Sequence, residues 1–181
     1  MAKKILLAAA VVIILLGLVY RPIMNRLYPI QNKKTVEYYS QEYGLDPMLV
    51  YSVIKIESKF NPYATSSKGA KGLMQITPST GEYLSKLLGD KDFSENMLYE
   101  KETNIRYGCF YLSKLISDFK GDLVLALAAY NGGEGNVRRW LEKHDEGEEF
   151  RVDDIPFSET KSYVKKVSKN YSIYKFLYKG D

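Results

Sequence analysis

Glu57 is the residue whose surroundings first suggest chemistry. It lies in VIKIESKFNP, residues 53–62. On a helix, Val50, Val53, Ile54 and Phe60 share its side, while Ser52, Lys55 and Lys59 group on another. A carboxylate in an apolar stripe, in the last helical turn, meets both burial and the negative end of the macrodipole. Both disfavour the ionised form and raise its pKa. A carboxylic acid still protonated near neutral pH can give a proton to a leaving group. The competing reading is a glutamate at the stripe's edge whose head reaches water.

The 24 residues from Ser58 to Gly81 contain no Asp or Glu, but include SSKGAKGLMQITPST. Gly69 and Gly72 permit sharp turning or close approach of backbone to a ligand. Gln75 offers a donor and an acceptor, and Met74 a soft apolar surface. That composition suits a groove wall beside an acid, and equally an ordinary Gly-Ser loop. The spacing of a phosphate-binding loop is absent. In NGGEGN, residues 131–136, the glycines read more simply as a helix end.

Other chemistries find little support. The chain has one cysteine, Cys109, and one histidine, His144. A zinc centre wants several such ligands, so no metal and no cofactor is expected. Cys109 belongs to the stripe Ile105, Cys109, Leu112, Ile116, Phe119, which marks it for packing. His144 falls in the polar stretch EKHDEGEE and is expected to be exposed. The net charge of +4 is too small to argue for nucleic acid. Six lysines and two acids fall between Glu159 and Asp181, and Lys161, Lys165 and Lys169 share a helix face. The 16 tyrosines suit either a polar ligand such as a sugar or the rim of a small helical core.

The elements that must position these groups are helical. Lys33–Tyr43 reads as a helix ended by Gly44. Asp46-Pro47 reads as an N-cap and first-turn proline opening a helix to about Lys59, and Asn61-Pro62 stops it. Residues 63–77 form a loop with a small hairpin. Pro78 opens a helix ending near Gly89, and Thr103–Phe119 carries the stripe named above. Asp122 caps an apolar helix broken at Asn131-Gly132-Gly133, and Asn136–Lys143 is short. Ser158 is expected to cap a last helix whose inner face is Val164, Val167, Tyr171 and Tyr174. Ahead of all this, Ile5–Tyr20 is an unbroken run of 16 apolar residues and glycine after Lys3 and Lys4. It is long for a signal-peptide core and lacks a well-placed cleavage site, which favours an uncleaved anchor over a cleaved signal. The flanking charges leave its orientation undecided.

Five segments, in order, resemble the catalytic domain of the bacterial soluble-lytic-transglycosylase (SLT) family, which is lysozyme-like. They are ESKFNP, SSKGAKGLMQITPST, NIRYGCFYL, AYNGG and PFSETKSYV, and the resemblance covers about residues 34–181. It implies a mainly α (α+β lysozyme-like) domain over residues 34–181; ahead of it the hydropathy pattern reads as a tip at 1–4, an anchor or signal at 5–21 and a linker at 22–33. It implies cleavage of the β-1,4 bond between N-acetylmuramic acid and N-acetylglucosamine in peptidoglycan, giving a 1,6-anhydro product. Glu57 would be the acid and then the base. Ser66, Gln75 and Asn131 would hydrogen-bond the sugar, Met74 would pack on a sugar face, and Tyr130 would orient the acid or stabilise charge. Glu159 and Tyr163 would form another wall. Asn104 and Tyr111 read as structural. The expected partners are glycan strands and, through the N-terminal helix, the membrane, with the catalytic domain on its extracytoplasmic side. Two alternatives stay open: a hydrolytic lysozyme using a second acid such as Asp118 or Glu134, and a non-cleaving wall-binding scaffold.

Overall fold

A computed structural model describes residues 19–144 and 148–179. It divides into two units, residues 1–31 and 32–181. In the first unit, residues 19–27 are helical (α1), so helix carries past Arg21 into the segment expected to be linker. Val19, Tyr20, Ile23 and Leu27 leave about half of their surface exposed. No helix among the described residues is long and apolar enough to cross a membrane. Most of the apolar run expected to be an anchor lies outside the described residues.

The second unit is built from seven α-helices: α2 (Lys33–Glu42), α3 (Pro47–Glu57), α4 (Pro78–Leu88), α5 (Lys101–Asp118), α6 (Leu123–Gly132), α7 (Glu134–Leu141) and α8 (Ser158–Leu177). Short 3₁₀ turns at Glu95–Tyr99 and Val152–Asp154 complete it. No strand occurs among the described residues. Where a hairpin was expected, two isolated antiparallel bridges pin Lys71 to Thr65 and to Ile76.

Local chemistry explains the helix that matters most. Asp46 is extended and its carboxylate accepts a hydrogen bond from the Met48 amide at 2.8 Å, with Pro47 in the first turn. Val50, Val53 and Ile54 are fully buried, and α3 packs along α8 more extensively than any other helix pair. Ser52, expected on a polar face, is buried as well, because its hydroxyl donates to the Met48 carbonyl at 2.6 Å and so needs no water. The helix ends at Glu57, two residues early. Lys59 and Phe60 both take left-handed backbone, φ 52° and 66°, a conformation that costs a non-glycine side chain energy and is often found beside functional groups.

The other two expected caps divide. Asp122 accepts from the Leu125 amide, and at the start of α4, where only Pro78 was expected, Thr77 caps by accepting from the Thr80 amide. Ser158 does not cap α8; it is the first helical residue, and Phe157, without a side-chain bond, holds the cap position. Val164, Val167 and Tyr174 are buried. Tyr171 is only partly buried and sends its hydroxyl to the Asp46 carboxylate at 2.7 Å, tying α8 to the start of α3. Cys109 is fully buried and burial pushes its thiol pKa up. His144 is less exposed than its polar stretch implies. Its ring sits 5.2 Å from Phe150 and its Nε2 3.6 Å from Asp154.

Candidate active site

Glu57, at the last residue of α3, opens into a cleft of about 200 Å³. Ser66, Gln75, Tyr130, Asn131 and Glu159 line the same cleft, so six of the eight expected site residues come together. They arrive from four parts of the chain: α3, the loop of residues 63–77, the end of α6 and the start of α8. Burial pushes the Glu57 carboxyl up to about 7, and the Tyr163 hydroxyl, close behind it, partly offsets the rise.

Tyr163 is behind the acid rather than on a wall. It is 6% exposed, its hydroxyl is buried, and that oxygen makes no hydrogen bond of full geometry to any other group. The nearby Glu57 charge and burial both raise the phenol's own pKa. The reason is periodicity: Tyr163 lies one turn beyond Glu159 but shares the inward face of Val164 and Val167. Tyr130, also against Glu57, donates its hydroxyl to the Met74 carbonyl at 2.8 Å. Its ring lies tilted against Tyr111, the centroids 5.4 Å apart.

Met74 is a correction. It is 0% exposed, so its side chain has no surface to offer a sugar. Met74 lies against Gly108 of α5, where a Cβ would come within 2.2 Å of its sulfur. The loop is turned this way by three side-chain bonds from Asn104. Its Oδ1 accepts from the Met74 amide at 2.7 Å, and its Nδ2 donates to the Lys71 and Leu98 carbonyls at 2.9 and 2.8 Å. Gly72 passes so close that a Cβ there would lie 2.1 Å from the Leu98 carbonyl oxygen. Gln75, itself in left-handed backbone at φ 52°, spends its amide nitrogen on the Ala64 and Gly72 carbonyls. Its oxygen is left as an acceptor with no bond among the described residues. The Ser66 hydroxyl accepts from the Ala70 amide at 3.1 Å, closing the loop's tip.

Four cleft residues were missed, Ser67 and Ala70 at the loop's tip among them. Thr77, the cap of α4, and Lys68, which reaches Glu159 at 3.5 Å, both line the cleft. Neither carried a sequence signal, because side-chain direction in a loop follows no period. The acids held open as second carboxylates are elsewhere: Asp118 binds Lys114, and Glu134 binds Arg138 at 2.6 Å. Neither lines this cleft. Its one other carboxylate, Glu159, is exposed on the rim and paired with Lys68. Among the described residues no cluster of His, Cys, Asp and Glu could hold a metal ion.

Known proteins match this arrangement. The family model for the transglycosylase SLT domain matches residues 34–152. The soluble lytic murein transglycosylase of Escherichia coli K12 is 33% identical over 162 residues, covering 87% of this chain and 25% of that protein. The membrane-bound lytic murein transglycosylase C of Sodalis glossinidius is 34% identical over 158 residues, covering 73% of this chain and 44% of that protein. Among solved structures, the 70 kDa soluble lytic transglycosylase of E. coli superposes with a TM-score of 0.80 at 31% identity, over 87% of this chain and 26% of that one. An inactive glutamate-to-glutamine mutant of the Pseudomonas aeruginosa lytic transglycosylase Slt gives 0.75 at 34% identity, over 82% and 24%. The chain thus spans about a quarter of the length of the soluble relatives. With the family model matching residues 34–152 and relatives a third identical over most of its length, the chain belongs to the transglycosylase SLT domain family.

Proposed function

We propose that this domain is a lytic transglycosylase cutting the β-1,4 bond between N-acetylmuramic acid and N-acetylglucosamine in peptidoglycan, with Glu57 as its acid and base. The observation that carries the proposal is that the cleft has one sheltered carboxyl, Glu57, with burial pushing it up to about 7, while its other carboxylate stands exposed on the rim. Near neutral pH it is present in both forms, which suits a group that must first give a proton and then take one. In the first step the Glu57 carboxylic acid protonates the glycosidic oxygen, and the bond to the muramoyl C1 breaks as positive charge develops there. In the second, the Glu57 carboxylate takes the proton from the same sugar's C6 hydroxyl, whose oxygen bonds to C1. The acid is regenerated, a 1,6-anhydro ring closes, and no water is consumed. Proximity favours that intramolecular attack.

Around the acid, the Gln75 oxygen can accept from an N-acetyl N–H or a hydroxyl, Asn131 and Ser66 offer further polar contacts, and the Tyr163 hydroxyl behind the carboxyl lowers its pKa. Most glycosidases position water or a covalent intermediate with a second carboxyl. Here the acids proposed for that role are engaged elsewhere and Glu159 stands on the rim, which supports the non-hydrolytic reading. Residues 5–21 are proposed as a membrane anchor, residues 22–33 as the segment joining it to the catalytic domain at 34–181, and that domain as extracytoplasmic, where its substrate lies.

Mass spectrometry of products from purified sacculi tests the chemistry. Wild type should give anhydro-muramoyl ends and Glu57→Gln none. Reducing ends would show a hydrolase. Sacculi left uncut by both, yet bound equally, would leave a wall-binding scaffold. Retention of the full chain in membranes through an alkaline wash tests the anchor, and release into the supernatant would sink it.

A further inference from the structure

Helix α8 has an outer face that the cleft does not use. Tyr163, Val164 and Val167 are turned inward. Lys161, Lys165 and Lys169, four residues apart, share the outward side, with Lys166 beside them. These four lysines, with Ser158 and Ser162, line a shallow hollow of about 380 Å³ that has no acid on its walls. Beyond Glu159 the helix contains no Asp or Glu, so any counter-charge must come from another element. Asp153 supplies it: its carboxylate sits 2.7 Å from Lys165 and its backbone carbonyl accepts from Lys161 at 2.5 Å. The Lys165–Asp153 pair is exposed at both ends and contributes little to folding. Lys166 and Lys169 are exposed and make no ion pair among the described residues. The same face ends in apolar surface. Phe176, two turns beyond Lys169 on the same side, is 73% exposed, and the half-buried Ile173 lies between them.

We propose that this face of α8 docks on an anionic lipid surface, with Lys161, Lys165, Lys166 and Lys169 on headgroup phosphates and Phe176 at the boundary of headgroups and acyl chains. A neutral glycan offers nothing to four cations. A soluble polyanion would satisfy the lysines and leave the Phe176 ring in water. An anionic lipid surface satisfies both, and each lysine near it adds about fivefold in affinity. This docking is independent of the cleavage chemistry, but it bears on the cleft. Helix α8 also carries Glu159 at the rim and Tyr163 behind the acid. A docked α8 therefore fixes the height of the cleft above the lipid, and with it which glycan strands come within reach.

Footprinting the full chain in lipid nanodiscs tests this. Discs of phosphatidylcholine alone are set against discs of phosphatidylcholine and phosphatidylglycerol in equal parts. Acetylation of Lys165, Lys166 and Lys169, read by mass spectrometry of peptides, should fall about fivefold on the anionic discs and recover in about 0.5 M salt. Lys86, exposed on α4, is the control and should not change. Hydroxyl-radical oxidation of Phe176 should fall together with the acetylation. In the triple variant Lys165→Gln, Lys166→Gln, Lys169→Gln, Phe176 should oxidise as fast on anionic discs as on neutral ones. Equal acetylation on the two discs, or protection of Lys86 to the same degree, overturns the proposal. So does a Phe176 that stays open while the lysines are covered. Protection of the lysines and Phe176 alike by soluble polyphosphate on neutral discs also overturns it, and makes the partner a free polyanion. The earlier readings fail separately: a chain that does not stay with neutral discs loses the anchor, and sacculi left uncut lose the cleavage.

Discussion

The loop of residues 63–77 and the start of α8 face each other across the cleft and are held by opposite means. The loop is tied from below. Asn104 makes three bonds to it and its neighbour, two of them buried, Gly72 and Gly108 allow van der Waals closeness that a single methyl would block, and Gln75 is bonded to its own loop. The α8 start has no side-chain cap, and its cleft residue Glu159 is exposed and touches the opposite wall through one ion pair. Position is enforced on the side that shapes the acid's surroundings. On the other side stands a bond that costs little to open. Under the proposed activity, a groove must admit a long polymer and still hold a reacting atom to fractions of an ångström, which calls for both.

That contrast can be broken at several points. The largest effect should come from the acid itself: Glu57→Gln should lower turnover of sacculi by about 10³-fold or more in a product-release assay. The same substitution should stabilise the fold. Glu57 has its pKa raised by folding, from 4.5 to about 7, so its favourable contribution is complete below the unfolded value and is lost as pH rises through about 7. Removing the titration should leave the variant more stable than wild type at pH 8, by up to about 3 kcal/mol, and no more stable at pH 4. Urea unfolding at the two pH values reads this directly. On the tied wall, Asn104→Ala strands the Met74 amide and takes a partner from the Leu98 carbonyl, while the Lys71 carbonyl keeps the Ile76 amide; it should cost about 3 kcal/mol of stability by urea midpoint.

Tyr163→Phe separates positioning from packing. The hydroxyl lowers the pKa of Glu57, so its loss should move the titration of the acid to higher pH in the pH–rate profile, with a several-fold lower maximum and near-normal stability. A lower rate with an unmoved profile would mean the hydroxyl does not face the acid. The smallest effect belongs to the open wall. Lys68→Ala should change stability by less than about 0.5 kcal/mol, and a larger loss would mean that this wall is tied after all.

Much of the frame was legible because it follows periods and caps. The Asp46-Pro47 start, the apolar side of Glu57 and the stripe through Cys109 could be read from spacing alone, and the structure places them so. Asn104 was readable as structural only through the family resemblance, since its partners lie 6 to 33 residues away. Met74 was misread because nothing in a loop sequence states which way a side chain turns. The answer depends on Gly108, in a helix 34 positions on. Lys68 and Thr77 were missed for the same reason. Tyr163 was assigned to a wall through the family resemblance, but α8 turns it to the inward face shared by Val164 and Val167. The three strained, left-handed residues at Lys59, Phe60 and Gln75 carried no sequence mark, because none is a glycine.

Cys109 gives the molecule an internal reporter. It is the chain's single thiol, it is fully buried beside the glycine that seats Met74, and burial suppresses its thiolate. A thiol reagent added to the native protein therefore waits for the core beneath the cleft to open, and each molecule can react only once. The labelling rate, followed with and without glycan, would measure how firmly substrate clamps the floor of the site without any engineered probe.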